Sequence, residues 1–229
     1  TLCCKTFVMR KLIFPLLAVI LLISCRSKNE AKKADVSNVD SAANTDIHYY
    51  KIDLIQVTDS AWGSVTRNTN FEDLQAIYGE ANVKDERICG PECIDSLDVT
   101  QVYPGTSKAF TVYWKEKQYH KKIEMIECYT EEAPYRTASD IGIGTSLQYL
   151  LELNGKKITF YGFGWDYGGG IVSFNGGKLE KSNLHYTLDM TYDTTGNSIM
   201  GDAEFNTDMP EVQKHIGKIF VDKIVLSFD

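Results

Sequence analysis

The sequence lacks the signatures by which the commoner enzyme classes announce themselves. It has no Gly-x-Ser-x-Gly nucleophile elbow, no His-Glu-x-x-His zinc motif and no P-loop. Gly142-Ile143-Gly144-Thr145 has neither the remaining glycine nor the long preceding strand of a dinucleotide fingerprint. Histidine is scarce: His48, His120, His185 and His215 lie far apart in polar surroundings, the setting of surface histidines rather than of a catalytic set. Runs of Lys and Arg interleaved with aromatics are missing as well. Lys121-Lys122 is the densest basic point of the domain and reads as a solvated strand end, and the formal net charge is −7. Such a chain does not track phosphates, so no nucleic-acid partner is expected. Asp189, Asp193, Asp202, Glu204 and Asp208 crowd a stretch rich in Asp, Asn, Thr and Gly. Without EF-hand spacing they read as a solvated loop and not as a calcium site, and no cofactor or metal is expected.

Long apolar stretches are confined to one place, residues 12–23, which follow Arg10 and Lys11 and end in Ser24-Cys25. About twelve apolar residues are too few for a spanning helix, whereas a positive start and a short apolar core ending in a small residue fit an export signal. Leu22-Ile23-Ser24-Cys25 resembles the lipobox of bacterial lipoproteins. The resemblance implies that Cys25 is diacylated, becomes the new N-terminus on cleavage and attaches the protein to a membrane through its lipid. Arg26 stands where some enteric lipoproteins carry the aspartate associated with inner-membrane retention, which implies the outer membrane. Residues 1–8 precede Met9, the first plausible start, and 1–24 as a whole are assigned to upstream residues and signal peptide. Residues 25–45 are the acylated cysteine and a tether, because 26–45 carry no aromatic and no periodic apolar face that could offset the entropy of ordering. Lys5, Arg10 and Lys11 are lost with the signal while all 31 acidic residues lie beyond it, so the exported chain is the more acidic.

Within the domain, 69–79 and 145–155 align as a weak internal repeat. Each copy has a threonine, large apolar residues at 71, 74 and 77 or 147, 150 and 153, and a glycine at 79 or 155. A polar cap, a three-residue apolar spacing and a terminal glycine predict a short helix in each. After each helix the period falls to about two. Strands are expected at 81–88, 98–103, 109–114 and 122–129, then at 157–165, 171–174, 184–192 and 218–228, with a small helix at 210–215 opened by Pro210. The fold class is therefore α+β: two tandem units, 46–134 and 135–229, each a short helix packed on an antiparallel β-meander. The pattern resembles the tandem helix-plus-sheet repeats of secreted β-lactamase inhibitor proteins and of small outer-membrane assembly lipoproteins. It departs from them at Tyr78-Gly79-Glu80-Ala81 and Asn154-Gly155-Lys156-Lys157, which lack the Gly-Met opening and Gly-x-Pro closing of those repeats. No functional residue carries over.

Residues 161–170 read Tyr-Gly-Phe-Gly-Trp-Asp-Tyr-Gly-Gly-Gly. On an extended strand Tyr161, Phe163 and Trp165 share one face, while Gly162 and Gly164 leave the other bare for a second backbone, an aromatic ring or a ligand. Asp166 to Gly169 has the composition of a hairpin turn. The aromatic row serves either as core beneath the second helix or as a binding surface, whose residues would be Trp165, Asp166 and Tyr167. Cysteine supplies the remaining signal. Cys89-Gly90-Pro91-Glu92-Cys93 reads as a disulfide closing a tight loop. A bridge from either to Cys128, or free thiols, are the alternatives. Together these readings point to a lipid-anchored envelope protein that binds a protein or a glycan without catalysis, with an envelope hydrolase as the alternative.

Overall fold

The computed structural model describes residues 54–90, 93–94, 96–191 and 196–228; Cys25, the tether, His48 and Asp193 lie outside them. Among the described residues no helix is long and apolar enough to cross a membrane.

The two expected helices form where their caps place them. In α1 (Phe71–Tyr78), Asn70 Oδ1 accepts the Asp73 N–H at 2.8 Å and Asp73 Oδ2 accepts the Asn70 N–H at 3.1 Å, a reciprocal capping box. In α2 (Leu147–Asn154), Ser146 Oγ accepts the Tyr149 N–H, and Gly155 ends the helix in the left-handed region at φ 71°. Burial falls on Leu74 and Tyr78, and on Leu147, Leu150 and Asn154. The stripe thus shifts one residue from the expected 77 and 153, because residues four apart share a helix face more closely than those six apart.

Both helices serve one antiparallel sheet of six strands in the order β11, β13, β7, β6, β5, β4. These are β4 (Val83–Cys89), β5 (Ser96–Val102), β6 (Phe110–Trp114), β7 (Ile123–Cys128), β11 (Leu184–Met190) and β13 (Ile219–Ser227). Strands of the two halves meet where β13 pairs with β7, Leu226 opposite Ile126 and Ile224 opposite Cys128. Val102, Phe110, Val112, Ile126, Ile224 and Leu226 line the buried face, and the alternate residues Tyr113, Met125, Glu127 and Val225 are only partly covered. In β13 the alternation breaks between Val221 and Ile224, opposite a bulge at Thr187/Leu188.

A smaller sheet orders β3 (Val65–Thr66), β2 (Ala61–Trp62), β1 (Gln56–Val57) and β8 (Arg136–Thr137). Its strands are too short to carry a readable period. A third sheet orders β10 (Ile171–Ser173), β9 (Thr159–Tyr161) and β12 (Glu204–Asn206). Here the structure departs from the expectation twice. The strand foreseen at 157–165 stops at Tyr161, and the acidic stretch read as loop contains β12. A short helix, α3 (Pro210–Gln213), carries Pro210 in its first turn as expected.

Cys89 and Cys93 form the disulfide, with Cα atoms 4.8 Å apart, which settles the cysteine alternatives; Cys128 is free and buried. Burial pushes the Cys128 thiol up to about 11. In the folded protein Cys128 should therefore resist alkylation at pH 8 and be labelled only after unfolding, as peptide mapping would report. Because the folded state holds this proton more tightly, the stability it supports is complete below the ordinary thiol range and is lost as pH climbs through 11.

Candidate functional site

The loop at 162–170 joins β9 to β10. Phe160, central in β9, is fully buried between Phe205 of β12 and Ile171 of β10. After Tyr161 the chain turns away from the sheet, and the bare side of Gly162 receives another backbone. The Gly162 N–H donates to Ala203 O, the Phe163 N–H to Ile199 O and the Gly201 N–H to Phe163 O, at 2.8–3.0 Å. A Cβ on Gly162 would lie 2.6 Å from Gly201 O. It would also lie 2.7 Å from Phe205 Cε2, so a second backbone and an aromatic ring together fill the glycine face, and the Phe163 ring is core at 2% exposure.

The loop then closes on itself. The Gly168, Gly169 and Gly170 N–H groups donate to Trp165 O, Tyr161 O and Tyr167 O, and the Leu188 N–H of β11 donates to Gly169 O at 2.8 Å. Gly169 has φ 74°, and a Cβ there would sit 1.8 Å from Leu188 O, so only glycine allows this approach to the β11 edge.

Trp165, Asp166 and Tyr167 stand on this pinned loop. Trp165 is partly buried and its indole N–H donates to Gly162 O at 2.8 Å. Its ring meets Tyr161 at 84° with centroids 5.5 Å apart, and Tyr167 at 66° and 5.3 Å. Tyr167 is 69% exposed and Asp166 is exposed beside it. The aromatic row therefore divides: Phe160 and Phe163 are core, while Tyr161, Trp165 and Tyr167 form a fixed ledge at the surface.

A second cluster was not foreseen. Asp85 on β4 accepts the Thr100 hydroxyl at 2.8 Å, and its carboxylate oxygens lie 3.0 and 2.9 Å from His120 Nε2. Trp114 Nε1 donates to Thr100 Oγ1 at 2.8 Å, so a chain of polar groups runs from the indole to the imidazole. His120 has φ 63° and is stacked between Phe71 and Tyr119, with centroids at 4.2 and 4.0 Å. Burial and then the neighbouring Asp85 push the Tyr119 hydroxyl up to about 12. Beyond it Arg87 and Asp98 form a bidentate pair at 2.7 and 2.9 Å, which raises the guanidinium and lowers the carboxyl from their ordinary values. Residues 35 positions apart leave no signal of this meeting in a linear reading. No serine or cysteine bonds His120 among the described residues, and its backbone carbonyl accepts the Phe71 N–H at 3.0 Å, which joins the cluster to the start of α1.

Two cavities adjoin through Glu131 and Glu132. One, about 580 Å³, is lined by Gln101, Thr106 and Tyr129 among others. The other, about 750 Å³, is lined by Arg136, Ser146, Asp189, Lys218 and Asp222 among others. Burial, then Asp189, holds the Asp222 carboxyl above its ordinary value. Neither cavity has a histidine in its wall. Of the acidic stretch, Asp189 faces the larger cavity while Glu204 lies on β12, and no group of three or more metal-ligating side chains is assembled among the described residues. His185 is exposed on β11, and His215 is buried with Nδ1 unpartnered.

These features define an α+β protein whose main sheet carries a glycine-pinned aromatic loop at its β11 edge. No protein-family model matches the sequence, and no curated protein matches it. Among solved structures, the crystal structure of the uncharacterized protein yfeY from Escherichia coli superposes with a TM-score of 0.44 at 12% identity, covering 76% of this chain and 99% of that one.

Proposed function

We propose that this protein is a lipid-anchored module of the bacterial envelope that holds a protein or glycan ligand at Trp165, Asp166 and Tyr167 and performs no catalysis. Anchoring rests on the lipobox at Cys25, with Arg26 favouring the outer membrane, and the tether gives the domain reach from the lipid. The observation that carries the binding role is the exposed Tyr167 ring, packed on a partly buried Trp165, on a loop whose backbone is fixed at both ends. Large rings held rigid at the surface lose little entropy on binding. A hydrolase is the second reading, favoured by the Asp85–His120 pair. Both faces of the imidazole are covered by Phe71 and Tyr119, which suits a structural closure better than a proton shuttle.

The test is affinity capture. Full-length protein is immobilised in detergent and exposed to a solubilised envelope extract beside a Trp165→Ala/Tyr167→Ala variant. One species retained stoichiometrically by the wild type alone is the expected outcome; equal retention by two folded proteins, or none by either, would count against the binding role.

A further inference from the structure

Resting on that binding reading, we infer that the ligand of the Trp165 loop is a neutral carbohydrate, laid with the C–H face of a sugar ring against the aromatic ledge. Size argues first. A specific protein partner covers roughly 800 Å² and some 20–30 residues on each side, whereas this surface is three rings and one carboxylate: Tyr161 at the end of β9, and Trp165, Asp166 and Tyr167 on the loop that follows. A saccharide of one or two rings fits it.

Geometry argues next. Tyr161 and Tyr167 each meet the indole steeply, at 84° and 66°, with centroids 5.5 and 5.3 Å away. A flat aromatic ligand stacks best on a single ring and gains nothing from two corners. A pyranose presents C–H groups on its face, which the negative face of an aromatic ring attracts, and hydroxyls around its rim, which point sideways toward neighbouring polar groups. Such groups are in place. Among the described residues neither the Asp166 carboxylate nor the Tyr167 hydroxyl is held by a protein partner; Asp166 is exposed and follows Trp165 in the chain, and the Tyr167 ring lies 5.3 Å from the indole. A carboxylate accepts from two sugar hydroxyls at once.

Charge decides against the other small ligands. The loop at 161–170 holds Asp166 and no lysine or arginine, so it repels phosphate and carboxylate ligands. A quaternary ammonium would suit the sign, but aromatic cages gain their affinity by enclosing the cation. Here Tyr167 is 69% exposed, and the ledge is open. Rigidity completes the case: the indole is fixed through Gly162 O, and the loop through Gly169 to Leu188, so the rings are in place before the sugar arrives.

Trp165 provides its own probe, since Trp62 and Trp114 are 0% and 7% exposed. Full-length protein in detergent is titrated with cellotetraose, chitotetraose, maltotetraose and tetramethylammonium while iodide-accessible tryptophan emission is followed. The expected result is saturable protection by at least one oligosaccharide, with binding at least about tenfold weaker in Tyr167→Ala as measured by calorimetry, a factor worth 1.4 kcal/mol. Protection by tetramethylammonium alone would overturn the carbohydrate assignment. If no oligosaccharide binds yet envelope capture still depends on Trp165 and Tyr167, the site stands and the ligand class is wrong. Failure of titration and capture together overturns both.

Discussion

Gly169→Ala should lower the stability of the domain by about 2–4 kcal/mol, the combined effect of placing a side chain in the left-handed region and of losing a backbone hydrogen bond left unsatisfied. The expectation follows from contact geometry. The new Cβ would approach Leu188 O to 1.8 Å and Leu188 C to 2.7 Å, and Leu188, beside the bulge, is still paired with Val221 of β13, which limits how far it can retreat. The loop must lift, which breaks the Leu188 N–H bond to Gly169 O and loosens the neighbouring bond from Gly169 N–H to Tyr161 O. Urea unfolding gives the stability change. The same variant should bind ligand more weakly although no ligand-facing side chain has changed, since the ledge loses its fixed end. A Gly201→Ala control is informative: that glycine also has positive φ, at 93°, but a Cβ there meets nothing within 4 Å. It should show the backbone penalty without the collision.

Trp62→Ala should be the most damaging single change in the core, at about 3–5 kcal/mol, the usual loss for deleting a fully buried large aromatic. Trp62 has no exposed surface, and its ring packs 5.8 Å from Phe110 and 4.8 Å from Tyr135. Tyr78 of α1 meets Phe110 edge-on at 5.5 Å, so the cluster ties the small sheet, the main sheet and the first helix together. Since domains of this kind are stable by only about 5–15 kcal/mol, a loss of that size leaves little margin. Thermal unfolding followed by near-ultraviolet circular dichroism would report it. Trp62→Phe, which keeps an aromatic ring in place, should recover a large part.

The helices and most strands were legible because their signals are local. In β11 the sequence Leu-His-Tyr-Thr-Leu-Asp-Met buries Leu184, Tyr186, Leu188 and Met190 in strict alternation, and Asn70 and Ser146 cap their helices through neighbours three residues on. The failures have the opposite cause. Parity placed Phe163 beside Tyr161 and Trp165, but the backbone at 199–201 draws the chain off the strand at Gly162, and nothing near residue 162 announces a partner some forty positions away. The Asp85–His120 pair was hidden in the same way, each member reading alone as an ordinary surface group. The glycine and aromatic composition of 161–170 did mark the candidate ledge; which rings point inward required the fold.

Tyr167 and Trp165 form a surface rather than part of the core, and urea unfolding of the Trp165→Phe/Tyr167→Ala variant tests this without knowledge of any ligand. Loss of one hydrogen bond and of partly exposed contacts predicts a stability within about 2 kcal/mol of the wild type. A loss of about 3–5 kcal/mol, the scale of buried aromatic truncation, would show that these rings hold the fold together and would contradict the account.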